Sequence, residues 1–115
     1  MRRKLEDLAS QLTIDLTTIG RRSGKPSRIE IWWFHVNGRF IITGTPGRRD
    51  WYANVLANPG VIVHVAGRDL AATAHPVRDP VLRAEVFDAP RTRWYSSQTQ
   101  RQRLIDEAPM IEVRL

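Results

Sequence analysis

At 115 residues the chain is long enough for one domain and too short for two of ordinary size, and a content of 42% hydrophobic and 26% charged residues excludes a disordered polymer. Cysteine is absent, which excludes disulfides, zinc–thiolate sites and thiolate nucleophiles together. The net charge of +6 is concentrated in residues 20 to 49, where Arg21, Arg22, Lys25, Arg28, Arg39, Arg48 and Arg49 face only Glu30, while the acids and bases elsewhere cancel.

Leu5, Leu8 and Ala9 stand at helical spacing, which predicts a short amphipathic helix over residues 2 to 11. From Leu12 to Ile19 the alternation of Ile14 and Leu16 with Thr13, Asp15 and Thr17 predicts a strand. Gly20 to Pro26 carries two glycines and a proline among polar residues and reads as a turn. Ser27 to Val36 reads as a second strand, with Ile29, Ile31, Trp33 and His35 on one face and Arg28, Glu30, Trp32 and Phe34 on the other.

Asn37-Gly38 is a type I′ hairpin signal, so a paired strand from Arg39 to Gly44 is expected. Asp50 is expected to cap a helix that ends at Asn58-Pro59-Gly60 and puts Arg48 and Arg49 at its entrance. Val61 to Ala66 and Asp69 to Val77 read as two strands joined around Gly67-Arg68. Asp79-Pro80 opens a helix, Arg91 to Glu107 is helix-compatible with a weak point at Ser96-Ser97, and Met110 to Leu115 is a last strand. Six strands with helices inserted late predict a mainly β, α+β architecture: a six-stranded antiparallel split β-barrel forming a single domain over 1–115.

Several chemistries lack their residues. His35, His64 and His75 have no carboxylates at ligand spacing, so no metal site is expected. Neither a Gly-x-Ser-x-Gly elbow nor a phosphate-loop signature occurs. No apolar run nears the roughly 18 residues of a membrane helix, and a cytoplasmic location is expected. What remains is Arg21-Arg22-Ser23-Gly24-Lys25, whose guanidinium forks and backbone N–H groups suit phosphate or carboxylate. A tryptophan wall from the adjacent Trp32 and Trp33 would complete a site for a planar ring with an anionic tail.

Two blocks carry a resemblance: Leu16-Thr17-Thr18-Ile19-Gly20-Arg21-Arg22-Ser23-Gly24-Lys25-Pro26, and Asp50-Trp51-Tyr52-Ala53-Asn54-Val55-Leu56-Ala57-Asn58-Pro59 before a valine-rich strand. In order and spacing they resemble the deazaflavin-dependent nitroreductase and quinone reductase family from about Leu16 to Val77. The resemblance implies an FMN-binding split-barrel fold, usually dimeric, that uses coenzyme F420 to reduce quinones, nitro compounds or enones, with FMN as the alternative cofactor. It implies that Arg21, Arg22, Ser23, Lys25 and Arg28, with Gly24 in their turn, hold the cofactor's phosphate and acidic tail, that Trp51 and Asn54 shape the opposite wall and that Thr45 lies near the ring. Trp32 joins the cofactor-binding set as the aromatic wall, and Thr45, Tyr95 or water would supply the proton in catalysis. Pro46 and Glu30 depart from the family's common lysine and proline. Two other readings stand beside it: a non-catalytic carrier of flavin, deazaflavin, haem or lipid on the same barrel, and a basic nucleic-acid-binding barrel. The localised charge disfavours the last.

Overall fold

The computed structural model describes residues 11–115, so most of the helix expected over residues 2 to 11 lies outside the described residues. Alternating and β-branched segments pair as seven antiparallel strands: β1 (Thr13–Ile19), β2 (Pro26–Trp32), β3 (Phe34–Val36), β4 (Arg39–Thr43), β5 (Gly60–Val65), β6 (Arg68–Pro76) and β7 (Met110–Arg114). Helix α1 (Asp50–Ala57) follows β4, while α2 (Pro80–Asp88), α3 (Arg93–Gln98) and α4 (Arg101–Glu107) lie between β6 and β7.

The strand order is β2-β1-β5-β6-β7-β4-β3, so the sheet's two ends, β2 and β3, are consecutive in the chain. They are the two halves of the strand expected over Ser27 to Val36, interrupted at Trp33, which accounts for seven strands against six. β2 pairs with β1 and β3 with β4, and the chain passes from one end of the sheet to the other through Trp33. That connection curls the sheet into a split barrel. The Trp33 side chain is fully buried at the crossing and its Nε1 donates to the Gln11 carbonyl at 2.6 Å.

Period-2 alternation decides which side chains fill the curl. Ile14 and Leu16 of β1 stand opposite Ile31 and Ile29 of β2, and Val61, Val63 and Val65 of β5 join them with Phe40, Ile42, Ile111 and Val113. Trp51 and Val55 of α1 close one end. On the reverse side of β3, β4 and β7, α2, α3 and α4 cover a second apolar cluster around Phe34, Ile41, Phe87, Leu104 and Met110. Each fully buried leucine or isoleucine is worth roughly 1.5–3 kcal/mol against exposure.

The expected turn forms at Asn37 (φ 51°) and Gly38 (φ 73°). α1 begins one residue before expectation: Asp50 is its first residue, and Arg49 occupies the cap position without a side-chain cap bond. Asp79 does cap α2, its Oδ1 accepting from Val81 N at 3.0 Å. The helical stretch 91 to 107 breaks at Thr99 and Gln100, past the expected serine pair.

Candidate functional site

β1 ends at Ile19, and the basic turn folds back on itself. Gly20 N donates to Lys25 O at 2.8 Å and Gly24 N to Gly20 O at 2.9 Å. A side chain at Gly20 would bring its Cβ within 2.5 Å of Ser23 Oγ. Ser23 Oγ accepts from Lys25 N at 3.1 Å, so the serine braces the turn from within.

The turn is tied to α1 by one buried amide. Asn54 Oδ1 accepts from Arg21 N at 3.1 Å and Arg21 Nη1 at 2.9 Å, and its Nδ2 donates to Thr18 Oγ1 at 3.1 Å. Arg21 Nη2 also reaches Asp50 Oδ1 at 3.3 Å. The sequence-expected residues Arg21, Arg22 and Asn54 are thus brought together, although Asn54 holds Arg21 in place and is only 5% exposed.

Between this turn and the entrance of α1 lies a cavity lined by Arg21, Arg22, Arg48, Arg49, Asp50 and Tyr52, with Gly47, Ala53 and Leu56 completing its wall. A second depression on the other side of Arg21 and Arg22 includes Gly20, Ser23, Ser27 and Asn54. Four guanidiniums against one carboxylate, beside the positive end of a helix, make a site for a multiply charged anion. Arg22 and Arg48 make no side-chain hydrogen bond among the described residues.

The remaining expected residues are distributed differently. Arg28 Nε is paired with Asp15 Oδ2 at 2.8 Å on the sheet's outer face. Gly24 and Lys25 are exposed at the tip of the turn. Trp51 is buried in the barrel core, edge-on to Tyr52 at 5.9 Å, and does not line the cationic cavity. Trp32 pairs with Thr13, at the opposite end of β1 from Gly20 and about 20 Å along the strand. It is half exposed and lies 6.5 Å from Trp94.

Thr45 is half-buried in the loop before α1 and accepts from Arg49. Tyr95 is packed in the second cluster, edge-on to Phe34 and Phe87, where burial pushes its phenol above the usual tyrosine range. It does not line the cationic cavity. Sequence reasoning placed Arg48 and Arg49 at a helix entrance without assigning them to the site, and left out Tyr52. Their signal was two arginines directly before the start of an amphipathic helix.

The histidines settle into the sheet. His64 Nε2 lies 2.7 Å from Thr17 Oγ1 and its Nδ1 2.7 Å from Asp69 Oδ1, a carboxylate brought across by the β5–β6 hairpin. The hydrogen bond from His64 holds the Asp69 carboxyl below its usual range.

The sequence model of the family described as F420H(2)-dependent quinone reductase matches residues 3–114. A solved F420-H2-dependent reductase superposes with a TM-score of 0.67 at 23% identity, over 90% of this chain and 95% of its own. A structure described as a domain-swapped dimer gives 0.67 at 22% identity, over 98% and 96%. A candidate pyridoxamine 5′-phosphate oxidase from Listeria innocua gives 0.70 at 13% identity, over 96% and 89%. Those likenesses establish the split-barrel fold.

Proposed function

The chain belongs to the F420H(2)-dependent quinone reductase family, and from that premise we propose that it passes a hydride from reduced coenzyme F420 to a small organic acceptor: a quinone, a nitro compound or an enone. The deazaflavin, when bound, supplies the two-electron chemistry. The observation that carries the reading is the cavity between the basic turn and α1, where four arginines meet one aspartate. That donor set fits a cofactor whose ring bears a phosphate and an acidic tail.

Arg22 and Arg48 hold the anionic end, each charge-assisted contact contributing about 1.5–3 kcal/mol when shielded from water. Arg21, fixed by Asn54, lines both depressions. Thr45 offers a hydroxyl beside the cavity rim, suited to a hydrogen bond with the ring or to proton delivery at the acceptor. FMN, with one phosphate and no acidic tail, uses fewer of these cations and binds more weakly. The 115 residues act as one cofactor-binding unit, assembled as a homodimer in the cytoplasm. A relative described as a domain-swapped dimer supports the assembly.

Oxidation of F420H2 by the purified protein, followed by absorbance with a panel of quinones, nitroaromatics and enones, tests the reading. Turnover with at least one acceptor class is expected. Tight binding without turnover on any acceptor would make the protein a carrier, and absence of binding would refute both.

A further inference from the structure

Arg49 is committed to its own loop. Its Nη2 donates to the Thr45 carbonyl at 3.1 Å and to Thr45 Oγ1 at 3.0 Å, and its Nη1 donates to the Arg48 carbonyl at 2.9 Å. A guanidinium has five donors and no acceptor. A hydroxyl that accepts from it cannot return its own hydrogen, so the Thr45 O–H points away from Arg49 and can donate to another acceptor.

The loop is built around this seat. Gly47 has φ +137°, and a Cβ there would fall 2.9 Å from Arg49 Nη1. Gly44 lies on the other side, its Cβ position 3.8 Å from Arg49 Nε. Gly47, Arg48 and Arg49 also form one rim of the cationic cavity, so whatever fixes the loop fixes that rim. Lysine could not substitute, because a single ammonium lacks the planar fork that reaches Thr45 and Arg48 together.

We propose that Arg49 is a positioning residue: it braces residues 45 to 49 and sets the Thr45 hydroxyl as a hydrogen-bond donor to an acceptor atom of the bound deazaflavin ring. The inference rests on the F420 reading above and adds the group that orients Thr45.

A double-mutant cycle tests it, with F420 affinity read by fluorescence titration and folding read by thermal unfolding of the ligand-free protein. Arg49→Lys and Thr45→Val are each expected to weaken F420 binding about tenfold, the scale of one hydrogen bond lost. The double variant is expected to bind no worse than either single one, and Thr45→Ser to bind like wild type. Unchanged affinity in Arg49→Lys, or full multiplication of the two losses, would overturn the proposal while leaving F420 binding intact. Should Arg49→Lys fail to fold, the contrast of Thr45→Ser with Thr45→Val decides, and equal affinities would overturn it. A wild-type protein that ignores F420 would remove the F420 reading and this inference with it.

Discussion

Arg22 and Arg28 look alike in the sequence, both cations beside a glycine-rich turn, yet the fold gives them separate work. Arg22 lines the cavity, whereas Arg28 is paired with Asp15 on the outer face. Arg22→Ala is therefore expected to weaken F420 binding by about tenfold or more, and Arg28→Ala by about twofold or less, since an exposed pair contributes little. Titrations of both variants check the contrast, and equal losses would contradict it. Asn54→Ala should remove the tie between turn and helix and leave Arg21 N–H and Thr18 Oγ1 without their partner, at about 1–3 kcal/mol of stability, read from thermal unfolding. The cluster of cations was legible because charge is visible in one dimension. Which of them are paired was not, because Asp15 and Asn54 come from other elements of the fold.

Secondary elements were legible wherever a local signal sufficed. Alternation marked the strands, Asn37-Gly38 marked its turn, and Asp79-Pro80 marked the start of α2. Asp79→Ala is expected to cost about 1 kcal/mol through loss of that cap, measurable as a lowered melting temperature. The interruption at Trp33 was hidden because both faces of the strand are apolar there, and only pairing of its halves with opposite ends of the sheet reveals the break. The hydrogen-bond partner of His64 was likewise hidden: Asp69 arrives across a hairpin, at no metal-ligand spacing. Trp32 shows the limit of adjacency as an argument. It neighbours Trp33 in sequence and stands about 20 Å along β1 from the turn it was expected to complete.

The molecule as a whole separates its chemistry from its packing. The cationic cavity sits where the basic turn of β1 meets α1, while the second cluster, including Tyr95, seals the helices against the reverse of the sheet. Burial raises the Tyr95 phenol above its ordinary value of 10.0. The folded protein then keeps that proton where the unfolded chain releases it, so stability falls as pH rises past about 10 and is unaffected by this group below. Tyr95→Phe should flatten the alkaline decline in thermal unfolding, and an identical decline would contradict the assignment. The central claim concerns the other region, and a crystal structure with F420 bound tests it most directly. Density for the phosphate and acidic tail is expected against Arg22 and Arg48, between the turn and α1. Density that placed the tail on the outer face of the sheet, away from both arginines, would contradict it.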